Sequence, residues 1–406
     1  MTKSTFSPVW MLLLIIGAGS GSLSWVHAAD HVRVALAEQA DRVTVASAGD
    51  LRLETSSGDH VDVLSEATVV LKGHELQVDG NIIQGNGLAI HGTHNELQVT
   101  IQGSSPDAVS QHWAVYGDLE ITIRDEHLLI VNVVDLEEYV AGVVSSEVNP
   151  GWHEELLRTQ AVAARTYVLY KKLESAARPF DVYASVQDQV YTGRQKVNRA
   201  VLDAVNRTRG QVLTYEGRPI FAVYSSTTAG PTEDAMNVWA KDLPYLKGVA
   251  CPFDRKSPWY EWRATIPFDV VETRLKEEGY PIGWLATLTP YGMTTAGRVK
   301  DVRILHSRGE LIITGQEFRR ILGYAKVRST RFSIERIDRH VVFAGKGAGH
   351  GVGLCQWGAK EMAELGYPYQ SILRYYYPGT KILPRDQVVM TLPASVIPGE
   401  TGIRAP

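Results

Sequence analysis

From about His31 to Val115 the chain alternates apolar and polar residues in short runs, HVRVALAE, RVTVASAG, LRLETSS, HVDVLSE, ATVVLKG, ELQVDG and ELQVTIQG, separated by Gly, Asp, Asn and Ser. A period of two in β-branched sequence buries one face of each strand, so this stretch is expected to form an antiparallel sheet. The period then changes. From Pro150 through Lys172, Leu156, Leu157, Ala161, Ala164 and Val168 recur at helical spacing. Asn149, Pro150 and the pair Glu154-Glu155 suit the first turn of that helix, and its alanines permit a neighbouring element to come close. The expected class is α+β, an N-terminal antiparallel β domain followed by a mixed α+β domain with a substrate cleft.

Residues Gly117 to Val134 read as a hairpin leading into Asp135-Leu136-Glu137-Glu138-Tyr139, and Val197 to Arg207 as a second helix. Gln211 to Tyr224 reads as a hairpin around Glu216-Gly217. Pro267 to Gly279 and Gly315 to Gly323 look helical around a strand-rich segment, and Gly349 to Gly366 forms a late helix. Four regions follow: an export signal at 1–29, a β-rich domain at 30–115 that supports the rest or binds wall, a catalytic or glycan-binding domain at 116–385, and a loosely ordered tail at 386–406.

The 406 residues carry 41 Lys and Arg against 45 Asp and Glu, so no basic footprint for nucleic acid is expected. Lys3, the apolar run Val9 to Ile16 and Val26-His27-Ala28 before Ala29 fit a cleavable secretory signal too short to span a bilayer. The mature chain, without a membrane span, is expected in the periplasm or outside the cell. Only Cys251 and Cys355 are present, in a compartment that permits disulfides. A bridge between them is one reading; separate buried thiols are another. A metal site sharing His350 is disfavoured, because no CxxC, HxH or HExxH spacing supplies a local ligand pair, and no metal or other cofactor is expected. His91 and His94 fall in a polar, turn-like stretch.

Glu147 is the candidate general acid. Val143, Val144 and Val148 flank it, and desolvation by such neighbours keeps a carboxyl protonated near neutral pH. Gln160, Arg165 and Tyr167 interrupt an apolar helix; their polar tips suit sugar hydroxyls or a carboxylate, while Arg165 equally suits a structural ion pair. Ser225, Ser226 and Glu233 lie on a polar loop running to Asp234, with Asn237 and Trp239 close behind, which offers hydroxyl partners beside an aromatic platform. Gly349-His350-Gly351-Val352-Gly353 lacks the Lys-Ser/Thr of a phosphate loop, and its glycines allow backbone to approach substrate while His350, Gln356 and Trp357 line the site. There is no GxSxG, and neither cysteine has the setting of a nucleophile.

Two segments, VDLEEYVAGVVSSEVNPGWHEELLRTQAVAARTY from Val134 to Tyr167 and GKGAGHGVGLCQWGAKEMAELGYPYQSILRYYYPGT from Gly345 to Thr380, carry most of these candidates. Their order of LEEY, a Glu-containing turn, QAVAARTY, GHGVG and Q[WY]GA resembles the stage II sporulation protein D and amidase-enhancer family over roughly residues 115 to 385. The resemblance implies an exported protein acting on peptidoglycan glycan strands, in some members a lytic transglycosylase cleaving between N-acetylmuramic acid and N-acetylglucosamine, with Glu147 as the catalytic residue. Strands stripped of stem peptides are one candidate substrate. It equally implies an alternative, a non-catalytic glycan-binding protein that stimulates a cell-wall amidase. The family pattern has His-Ser where this chain has Ser225-Ser226, which removes one potential ligand or acid.

Overall fold

The structure, a computed structural model, describes residues 30–63, 65–93, 95–103 and 109–392. The export signal expected at 1–29, His94 and the end of the tail lie outside the described residues.

The alternating stretch forms the expected antiparallel strands, which belong to a twelve-stranded sheet among the described residues whose one parallel pair joins Val182–Tyr183 to the first strand. Its strands bury every second side chain, as in Leu51–Thr55, Glu75–Val78 and Glu96–Gly103. Sequence reading divides the first 16-residue strand, His31–Ala46, in two, but it is continuous and bulged between Ala35 and Ala40. The bulges bend it, so its first half pairs with His127–Asp135 and its second half with Glu66–Lys72 and Glu96–Gly103.

The sheet runs across residue 115. Asp118–Arg124 and His127–Asp135 form the expected hairpin but sit in its middle, between Gly87–Gly92 and the first strand. His127–Asp135 is buried on both faces: Leu128, Ile130 and Val134 enter the main core, and Leu129, Val131 and Val133 pack with Phe180. The main core then continues through the helices to Tyr377, so the β-rich stretch and the helical part share one apolar interior.

Helix α1 (Leu136–Glu147) was not legible as a helix, because the run Val140 to Val144 is rich in β-branched residues. Its start is nevertheless written in the chain: Asp135 accepts hydrogen bonds from the Glu137 and Glu138 N–H groups, the ordinary N-cap of an acidic first turn. Helix α2 (Glu154–Glu174) follows, with Ala161 to Ala164 fully buried against its neighbours. Helices α3 (Arg199–Arg207) and α4 (Met236–Trp239) come next.

A second core occupies residues 262–343, where α5 (Phe268–Glu277) and α6 (Gly315–Leu322) bracket three antiparallel strands as the sequence predicts. Beyond it, residues 349–353, expected to open a helix, are loop, and α7 (Gln356–Glu364) and α8 (Tyr369–Tyr376) complete the main body. Residues 386–392, expected to be loose, are anchored: Val389 N–H donates to the Gly217 carbonyl at 2.9 Å and Arg218 Nη1 to that of Leu392 at 3.1 Å. No helix among the described residues is long and apolar enough to cross a membrane.

Candidate functional site

Glu147 is the last residue of α1, where the negative end of the helix dipole already disfavours a carboxylate. Three groups meet it. Oε1 accepts from the Val190 N–H at 2.7 Å, Oε2 accepts from Gln356 Nε2 at 3.5 Å, and the Tyr224 hydroxyl also bonds the carboxyl. Burial nevertheless outweighs all three hydrogen bonds and pushes the Glu147 carboxyl up from the usual carboxylate range to about 7. The residue as a whole is part-exposed, while its carboxyl sits deep enough for burial to dominate its pKa.

Each partner is delivered by a separate piece of chain. The segment from Ser185 to Gly193 folds over α1 because Gly142 has no side chain; a Cβ there would sit 2.6 Å from the Tyr191 ring and 2.8 Å from the Gly193 carbonyl oxygen. Tyr167 holds the same segment by donating to Asp188 at 2.9 Å, and Gln189 links Tyr139 to Tyr224. Gln189 Nε2 donates to the Tyr224 hydroxyl at 2.8 Å, leaving the phenol proton for Glu147. Tyr224 arrives on a short strand whose parallel partner is Leu354–Cys355, which places Gln356 at the start of α7 beside it.

His350 does not present a free ring nitrogen. Its Nδ1 accepts from the Val352 N–H at 3.1 Å and its Nε2 donates to the Tyr224 carbonyl at 2.9 Å. Burial, with Arg319 and Arg298 adding to it, lowers its pKa to about 3, so the ring is neutral and acts on Glu147 through the placement of Tyr224. Trp239 packs edge-on against it at 4.9 Å. Trp357 forms an edge-to-face pair with Trp152 at 4.9 Å, and the Lys360 ammonium lies over both rings. Trp357 N–H also donates to the Ser226 carbonyl at 3.0 Å.

Of the other candidates, Arg165 and Glu233 are committed elsewhere, while the polar ends of Gln160 and Ser225 are buried with no hydrogen-bond partner among the described residues. Arg165 is fully buried in a two-pronged pair with Glu137, Nε to Oε1 at 2.9 Å and Nη2 to Oε2 at 2.5 Å, which is the structural of its two expected roles. Gln160 is fully buried within α2. Glu233 accepts from Asn237 Nδ2 at 2.8 Å and from the Thr294 hydroxyl at 2.5 Å, tying the polar loop to the second core's segment. Ser225 is buried opposite Cys355 in the parallel pair. Two open concavities, one lined by Asp269, Arg274 and Arg320 and the other by Tyr280, Trp284 and Arg308, do not include Glu147; neither is the substrate cleft expected from the sequence.

Cys251 and Cys355 do come together, but as buried free thiols rather than a bridge. Their sulfurs lie with an Asp254 carboxylate oxygen within 4.8 Å of one another, the one group among the described residues whose donors converge as metal ligands would. Sequence reading missed Tyr224, Gln189 and Asp254. A search for Cys-x-x-Asp beside Cys-x-x-Cys would have flagged the last.

Residues 124–215 match the family described as stage II sporulation protein, and residues 235–353 match a domain of unknown function. An uncharacterised protein of Brachyspira hyodysenteriae is 35% identical over 277 residues, 67% of this chain and 73% of that protein. Stage II sporulation protein D of Bacillus subtilis is 33% identical over 271 residues, 63% of this chain and 76% of that protein. The amidase enhancer of Bacillus subtilis is 28% identical over 291 residues, 59% of this chain but 40% of its own length. With the motif order, the match at 124–215 and the extent of these likenesses taken together, the chain belongs to the stage II sporulation protein D and amidase-enhancer family.

Proposed function

We propose that this protein is exported and cleaves peptidoglycan glycan strands as a lytic transglycosylase, with Glu147 acting first as acid and then as base. The observation that carries the reading is the state of Glu147: a buried carboxyl held at about 7, whose hydrogen-bond partners are two amides and a phenol. A glycoside hydrolase ordinarily pairs two carboxyl groups, one to protonate the leaving oxygen and one to activate water or attack the sugar. None of the hydrogen-bond partners of Glu147 among the described residues is a carboxylate.

In the proposed reaction the Glu147 carboxyl gives its proton to the glycosidic oxygen as the bond to C1 of the muramic acid unit breaks. The carboxylate so formed takes the proton of that unit's 6-hydroxyl while O6 bonds to C1, closing a 1,6-anhydro ring. No water is consumed and Glu147 ends protonated, ready for another cycle. Gln356 and Tyr224 hold the carboxyl in place through the step that leaves it charged. Trp152 and Trp357 supply an apolar face for the sugar.

Reaction in 18O-enriched water with purified glycan strands, intact and stripped of stem peptides, tests this. Lytic chemistry gives anhydro ends without 18O; hydrolysis gives reducing ends that carry it. The similarity to an amidase enhancer favours a second reading, in which the chain binds glycan without cutting it and stimulates a cell-wall amidase. Unchanged strands together with a raised amidase rate would select that reading.

A further inference from the structure

Beneath the site, Cys251, Asp254 and Cys355 converge from two distant parts of the chain, and all three are buried. Cys355 Sγ lies 3.3 Å from Asp254 Oδ2, and Cys251 Sγ lies 3.3 Å from the Tyr376 hydroxyl. Asp254 Oδ2 caps the polar loop, accepting from the Thr227 hydroxyl at 2.5 Å and from the Thr228 and Ala229 N–H groups at 2.9 and 2.7 Å. Its other oxygen, Oδ1, is buried without a hydrogen-bond partner among the described residues. Leaving a carboxylate oxygen unmet in a protein interior is costly, and a dithiol or a disulfide beside it offers no strong donor. A cation does.

We propose that Cys251, Asp254 and Cys355 form a structural zinc site. Two thiolates are soft ligands that select against magnesium and calcium, and zinc accepts sulfur and carboxylate together in a tetrahedral shell. Cys251 and Asp254 are spaced as the two ligands of a Cys-x-x-Cys knuckle are, with Asp in the second place. The Tyr376 hydroxyl stands nearest for the fourth position. Space is kept by Gly358, where a Cβ would lie 2.7 Å from Cys251 Sγ and 2.2 Å from the Tyr376 hydroxyl. Two thiolates and a carboxylate exceed the charge of zinc by one, and the buried Arg298 guanidinium, which feels Cys355 and Asp254, has Nε and Nη1 without hydrogen-bond partners among the described residues. The ion joins Cys355, the residue before Gln356, to the loop that Asp254 caps, and so stiffens the floor under Glu147. This site stands independently of the glycan chemistry.

The test uses the full chain, with zinc as the probe. Zinc analysis of the purified protein is expected to give about one ion per chain, and cobalt replacement should give sulfur-to-cobalt charge-transfer absorption with tetrahedral d–d bands. Adding zinc to the chelated, reduced protein should raise its melting temperature by about 5 °C. Asp254→Asn keeps an oxygen for the loop hydrogen bonds and should bind zinc at least tenfold more weakly with an unchanged circular dichroism spectrum. Zinc bound as tightly by Asp254→Asn as by the wild type overturns the proposal. So does a Cys251–Cys355 disulfide in the chain isolated from its own compartment, seen as a mass two hydrogens lower. Reduced protein that takes up no zinc and gains no melting temperature overturns it without any variant.

Discussion

Gln356 Nε2 lies 3.5 Å from Glu147 Oε2, joining residues 209 apart in the chain. A bond at this length holds the carboxyl lightly, while the 2.7 Å bond from Val190 N–H fixes its other oxygen. The carboxyl therefore keeps its proton near neutrality and still has donors waiting for the charged form.

The first prediction is a pH profile. Because burial raises the Glu147 carboxyl to about 7, kcat/KM for glycan cleavage should fall as pH rises through about 7, following loss of the acid. The Tyr224 hydrogen bond favours the carboxylate, so Tyr224→Phe should move this alkaline limb to higher pH. A limb that stays in place, or moves down, would remove Tyr224 from the control of the acid.

The same carboxyl links stability to pH. Its pKa is higher in the folded chain, about 7 against 4.5, so its proton stabilises the fold at low pH and that stability is lost as pH rises from about 4.5 to about 7. Glu147→Gln has nothing to titrate. Relative to wild type, its stability should increase across that window by on the order of 1–3 kcal/mol, allowing for partial solvent screening. Urea unfolding at pH 4 and pH 8 measures the difference.

Arg165→Ala should destabilise the protein by about 3–5 kcal/mol, since it strands Glu137 without its buried counter-charge. Glycan binding by whatever fraction remains folded should be nearly normal. Selective loss of binding with unfolding unchanged would return Arg165 to the substrate.

Trp357→Ala should weaken glycan binding by about tenfold, through loss of one ring of the Trp152–Trp357 pair, with little change in turnover at saturation. Calorimetry on defined glycan fragments, beside saturating kinetics, separates the two effects.

Where periodicity is strong, sequence and structure agree. The alternating strands, α2, and the two helices bracketing the second core's strands all follow the pattern of their apolar residues. Helix α1 was hidden by its β-branched run although Asp135 marks its cap, because packing against the sheet overrides weak local propensity. The burial-raised carboxyl of Glu147 was legible from its valine neighbours. Tyr224 and Gln189 were not, since each sits in ordinary local sequence and matters only through what the chain folds onto it. Arg165 had two sequence readings because a charge on an apolar helix seeks a partner, and only the fold identifies Glu137.

The central claim is that one carboxyl, Glu147, performs both proton transfers. Mass spectrometry of purified glycan strands after incubation with wild type and with Glu147→Gln tests it most directly. The account predicts 1,6-anhydromuramoyl ends from the wild type, and from a folded, glycan-binding Glu147→Gln a rate lower by about a hundredfold or more. Anhydro ends formed by Glu147→Gln at the wild-type rate would contradict it.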